Sequence, residues 1–108
     1  MDVDPGEQTR VFRALADPTR RQILQDLRDG ELSAGEIAAR FPISGPSISR
    51  HLGVLRAAGL VSERREGNRI HYSLAEDRLA LYVGAFLSSV CPGRVFLRPR
   101  RSRKRTTR

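Results

Sequence analysis

The stretch 43-ISGPSISRHLGVLRAAGLV-61 decides how the whole chain is read. Small polar residues alternate in it with apolar ones, and a glycine stands near its end. At about 100° per residue, Ile48, Leu52 and Leu55 fall on one stripe, widened on one side by Val54 and His51. Pro46, Ser49, Arg50, Gly53 and Arg56 face the other way. The pattern predicts an amphipathic helix over residues 45–58. Ser44 or Gly45 can cap it. The residue before a proline is pushed away from helical angles, so Gly45 is the expected cap, with Pro46 in the first turn. Gly59 is expected to stop the helix as a left-handed residue, bringing Leu60 back onto Leu55.

Working outward, three helices are expected upstream. In EQTRVFRALA, residues 7–16, Val11, Phe12, Leu15 and Ala16 recur at helical spacing. Asp17-Pro18 ends that helix and opens the next, with Asp17 as cap and Pro18 at the first helical position. The second helix directs Ile23, Leu24 and Leu27 inward, and Gly30 can end it. Ser33 with Glu36 three residues on is a capping box for a short third helix. Ile37, Ala38 and Phe41 are its inner residues, and Pro42 closes it.

Downstream, Val61 begins a strand, and Ile70, Tyr72 and Leu74 alternate on a second. Gly67-Asn68 between them is a two-residue hairpin signal. A last helix, about Glu76 to Val90, is apolar nearly all round, so it has more than one side to bury. One side faces its own domain, and a second subunit is the simplest home for the other. Four helices, a hairpin and a helix make a mainly α fold with a small two-stranded wing, a winged helix-turn-helix.

The totals fit this reading. A chain of 108 residues predicts one domain, here residues 1–91, followed by a tail. The net charge of +8 lies wholly in that tail. Residues 1–91 balance twelve arginines against twelve acids, whereas 92–108 hold seven arginines and Lys104 with no acid. The tail reads as disordered, either an arm that adds unspecific phosphate affinity or a solubilising extension. The polar, acidic N-terminus is not that of a signal peptide, and no apolar run is long enough to span a membrane. A single cysteine, Cys91, excludes an internal disulfide and multi-cysteine zinc sites, and suits a reducing cytoplasm. Cys91 reads as a small apolar residue or, if two last helices meet about a dyad, as a redox switch.

The segments VFRALADPTRRQIL, GELSAGEIAARF, SGPSISRHLGVLRAAGLV and ERREGNRIHYSL, in that order, resemble the ArsR family of bacterial winged-helix repressors. The resemblance covers about residues 10–90, and the branch it is most similar to is that of the non-metal autorepressors. It implies a homodimer formed by the first and last helices, bound to an often imperfectly palindromic operator in the nucleoid. The family's metal sensors carry a Cys-x-Cys pair in the third helix or Asp and His in the last. Here the third helix reads SAGEIAAR and the last AEDRLALYVGAFLSSVC, so no metal site and no cofactor is carried over.

The expected DNA-binding residues follow from the helix and the wing. A helix entering the major groove needs short groups where its backbone nears the bases and long donors to reach their edges. Ser49 and Arg50 fit, and arginine is the side chain best suited to a two-bond contact with guanine. Ser44, Ser47 and Arg56 flank them. His51 has two readings, a histidine at the edge of the core or a phosphate contact. Arg64, Arg65, Asn68 and Arg69 sit on the wing, where they meet phosphate or the minor groove, or else keep an exposed hairpin soluble. His71 is expected on the solvated outer face of the second strand. Amides near Ser33 and Ser47 are further phosphate candidates. No nucleophile–base pair or phosphate loop is present, so the chain is not read as an enzyme. A ligand- or redox-gated sensor of the same fold and an unspecific basic nucleic-acid binder are the alternatives.

Overall fold

The computed structural model describes residues 3–94. Five α-helices and a small antiparallel sheet follow one another as α1 (Pro5–Leu15), α2 (Pro18–Asp26), β1 (Leu32–Ser33), α3 (Ala34–Ala38), α4 (Gly45–Ala57), β2 (Val61–Glu66), β3 (Arg69–Leu74) and α5 (Glu76–Val90). The Arg-rich tail lies outside the described residues from position 95 onward.

Side-chain caps set most of the helix starts. Asp4 accepts from the Glu7 amide at 2.9 Å, which starts α1 two residues earlier than its apolar spacing predicts. Asp17 accepts from the amides of Thr19 and Arg20 at 2.8 and 3.2 Å, with Pro18 behind it, as expected. The Ser33–Glu36 capping box is complete: the Glu36 amide donates to Ser33 Oγ and the Ser33 amide to Glu36 Oε1. That second bond occupies the Ser33 amide, so it is not free for phosphate. Helix α3 ends sooner than its sequence suggests, at Ala38, and tight turns through Arg40 and Phe41 lead to Pro42.

The cap of α4 is a correction. Ser44, not Gly45, stands at the N-cap, and its Oγ accepts from the Ser47 amide at 3.2 Å. A serine oxygen satisfies one of the orphan amides of the first turn, which glycine cannot. Gly45, with no Cβ to meet the proline ring, takes the first helical position before Pro46. The other end is as expected. Gly59 has φ +77°, its amide donates to Arg56 O, and the Leu60 amide reaches back to Leu55 O at 3.0 Å. Those two bonds define a Schellman cap.

The sheet has three strands in the order β1-β3-β2, one more than the predicted hairpin. Leu32 and Ser33 pair with Tyr72 and His71 along the inner edge of the wing. This strand covers His71, which is half-buried rather than solvated as expected. The core lies between the helices and the base of the wing, with Val11, Ile23, Leu27, Ile37, Leu55 and Leu60 sealed from solvent. Ile48 and Leu52 put the inner face of α4 into it, which leaves the opposite face outside. Tyr82 is the large side chain α5 buries, while Phe86, Leu87 and Val90 stay exposed.

Candidate nucleic-acid interface

The outer face of α4 is open. Ser49 and Arg50 are exposed, and a Cβ built on Gly53 would meet nothing within 4 Å. Neither the Ser49 nor the Arg50 side chain has a hydrogen-bond or ion-pair partner among the described residues. A long cation held out from a rigid helix beside small residues can approach another molecule closely. Ser44 and Ser47 lie at the start of the same helix. Ser44 Oγ accepts from the Ser47 amide and lies 3.0 Å from Ser47 Oγ, so this pair builds the first turn.

His51 sits at the edge of the core. Its Nδ1 lies 3.2 Å from Arg20 Nη1 and 3.9 Å from Asp17 Oδ2. Arg20 also donates to the carbonyls of Ala14 and Arg13 at 2.7 and 3.0 Å. One side chain thus closes the end of α1 and braces the middle of α4. Partial burial works to raise the Asp17 carboxyl. The amides of Arg20 and Thr19, with the neighbouring His51 and Arg20 side chains, outweigh it and hold the group below its usual range.

The remaining arginines divide. Arg56, on the last turn of α4, lies 3.5 Å from Glu63 of β2, which also accepts from Tyr72 Oη at 3.2 Å. Arg64 makes two bonds to Glu31, and the hydrogen bond from Arg64 holds the Glu31 carboxyl below its usual range. Arg65, Asn68 and Arg69 are exposed around the wing tip. There Gly67 has φ +64° and Asn68 a negative φ, the pattern of a type II′ turn. The structure thus brings Ser49 and Arg50 together on one open face and puts Arg65, Asn68 and Arg69 on a separate projection. His51, Arg56 and Arg64 are engaged within the chain.

Sequence reading missed the groups that position these residues. Arg20, Glu31 and Glu63 are the partners of His51, Arg64 and Arg56, and no motif joins them. It also missed Arg78. That side chain donates to Ala58 O at 3.0 Å, meets Glu7 at 3.1 Å and lies over the Tyr82 ring at 4.9 Å. It ties the end of α4 to α1 and α5.

A helix-turn-helix domain family matches residues 15–64. A solved ArsR family transcriptional regulator superposes with a TM-score of 0.77 at 29% identity, covering 83% of this chain and 92% of that one. The transcriptional repressor SdpR of Bacillus subtilis (strain 168) is 53% identical over 64 residues, 59% of this chain and 71% of that protein. The chain belongs to the ArsR family. It is a winged helix-turn-helix DNA-binding regulator. A second ArsR-family structure is the homodimeric winged helix-turn-helix DNA-binding domain from Mycobacterium bovis, a possible regulator of this family. It has a TM-score of 0.65 at 35% identity, covering 79% of this chain and 80% of that one. Among the described residues of this ArsR-family chain, no group of three or more His, Cys, Asp or Glu is placed to hold a metal ion. No described helix is long and apolar enough to cross a membrane. Cys91 is exposed just past the end of α5.

Proposed function

We propose that this ArsR-family protein is a homodimeric repressor that acts in the cytoplasm on operator DNA of the nucleoid. Helix α4 lies in the major groove, and the wing, residues 61–74, meets the flanking backbone or minor groove. The open Ser49–Arg50–Gly53 face of α4 carries this reading. Arg50 contacts a guanine edge and Ser49 a neighbouring base. Ser44, Ser47, Arg56 and His51 stand along the phosphates that flank them, and Arg65, Asn68 and Arg69 serve the wing.

The two subunits meet through α1 and α5. Phe86, Leu87 and Val90 leave an apolar stretch exposed at 45, 40 and 57%, and the Phe12 ring of α1 packs edge-on against Phe86 at 5.4 Å. Exposed apolar surface gathered on one helix pair marks an association site. A twofold axis there would present two α4 helices to successive turns of DNA, as a palindromic operator requires.

Footprinting on the DNA upstream of the protein's own coding sequence tests the reading, with Arg50→Ala beside the wild type. The variant should lose about 1–3 kcal/mol of operator affinity and relax the preference at one position in each half-site. An equal loss on random duplex would remove Arg50 from base reading. No protected site, with wild-type protein folded, would overturn the operator role.

A further inference from the structure

The wing carries three arginines, and its register sorts them. Residues paired across an antiparallel ladder lie on the same face, and faces alternate along a strand. Val61, Glu63 and Arg65 therefore share a face with Leu74, Tyr72 and Ile70. That face is the one turned to α4: Val61 and Tyr72 belong to the core, and Glu63 meets Arg56 of α4. Ser62, Arg64 and Glu66 share the opposite face with Ser73, His71 and Arg69, and the row runs on to Ser33 of β1 beside His71.

On this opposite face Arg64 uses three of its five N–H donors within the wing and its base. Its Nε donates to Glu31 Oε2 at 3.2 Å, its Nη2 to Glu31 Oε1 at 2.7 Å, and its Nη1 to Glu66 Oε1 at 3.4 Å. Glu66 Oε1 is also 3.1 Å from His71 Nε2. Two carboxylates on one guanidinium leave no net positive charge at that place. A phosphate approaching Arg64 meets the Glu31 and Glu66 carboxylates beside it, and taking the Glu31 place exchanges one charge-assisted pair for another. The Arg65 side chain, on the α4 side, has no hydrogen-bond or ion-pair partner among the described residues.

The link also has a mechanical meaning. A two-stranded ribbon is marginal alone, and β2 is exposed from Ser62 to Glu66. Strand β1 pairs with only two residues of β3. Glu31 immediately precedes β1, so its bonds to Arg64 reach past β3 and fasten the outer strand to the body of the domain. We propose that Glu31 and Arg64 form a clamp that sets the angle of the wing. Arg64 is then a positioning residue, and Arg65, with Arg69 at the tip, is what the wing offers to phosphate. The inference rests on the DNA-reading role proposed above for the wing, but the clamp itself has a readout without DNA.

Hydrogen exchange of the wing amides, residues 61–74, is measured in the free protein for wild type, Glu31→Gln, Arg64→Gln and the exchanged pair Glu31→Arg with Arg64→Glu. Each single variant should speed exchange by about two- to fivefold, and the exchanged pair should restore protection. Affinity for a mixed-sequence 30-base-pair duplex is then followed against salt. Arg65→Gln should flatten the slope of log K on log salt by about 0.9 for each subunit bound, whereas Arg64→Gln should keep the wild-type slope. Wild-type protection in Glu31→Gln would overturn the clamp. So would a slope lowered equally by Arg64→Gln and Arg65→Gln, or tighter DNA binding by Glu31→Gln through a released Arg64. A wing that loosens and is rescued as described, in a protein that binds no duplex, would uphold the clamp and overturn the DNA-reading role instead.

Discussion

Gly59 and Gly53 both lie in the stretch that specifies the reading helix, yet the structure asks opposite things of them. At Gly59 the chain turns at φ +77°, and an added Cβ would run into the Arg78 guanidinium at Nε. The guanidinium that fills this space holds Ala58 O and Glu7, so the glycine makes room for the link between α4, α1 and α5. Gly59→Ala therefore meets both the left-handed backbone penalty, about 1–2 kcal/mol, and a displaced Arg78. Gly53 is helical with open space above it, and alanine there should stabilise the fold by about 0.5–1 kcal/mol. Urea unfolding of the two variants beside wild type reads the contrast. The same Gly53→Ala protein should bind DNA more weakly, because its methyl stands where α4 approaches the groove. A Gly53→Ala protein that is both more stable and equally tight on DNA would remove Gly53 from the contact face.

At the level of elements, capping carries much of the specification, and the Ser33–Glu36 box offers the clearest measurement. Ser33→Ala removes the oxygen that accepts from the Glu36 amide and should cost about 1 kcal/mol, a fall in Tm of about 4–8 °C by calorimetry. Threonine at the same position should restore most of it. These local devices explain what was legible. Asp17-Pro18, Ser33-x-x-Glu36, Gly59 and Gly67-Asn68 each act within a few residues, so the helices, the wing and the open face of α4 could be read from the chain. Strand β1 could not, because two residues show no alternation and Leu32–Ser33 is a strand only through its pairing with Tyr72 and His71. The same limit hid the fate of the arginines. Whether Arg56, Arg64 or His51 points outward depends on Glu63, Glu31 and Arg20, and each of these comes from another element. Arg50 and Arg64 look alike in sequence; only the folded neighbours distinguish a free cation from a bound one.

Across the whole molecule, acid and dilution probe two different sources of stability. The carboxyls of Glu7, Asp17, Glu31 and Glu36 are each held below their ordinary values, Glu7 by Tyr82 and Arg78, Glu31 by Arg64, and Glu36 by the bonds to Ser33. A depressed folded value adds stability that is present above the unfolded pKa and is lost as pH falls through the folded one. The urea midpoint should therefore hold from pH 7 to about 5 and fall steadily below it, with a shallower fall in Glu36→Gln. Dilution tests the pairing of subunits. Leu87 and Val90 are exposed on α5, so a glutamate at each disturbs little inside one subunit. If α5 is the dimer face, the same change buries two like charges against their symmetry mates, at a cost large enough to separate the subunits. Sedimentation of Leu87→Glu with Val90→Glu should give a folded monomer where the wild type gives a dimer. Its unfolding midpoint should no longer rise with concentration, and its operator affinity should fall by well over tenfold, because one half-site must then be held without the other. A double variant that sediments as the wild-type dimer would place the interface on another surface, and α5 would need a different account of its exposed apolar face.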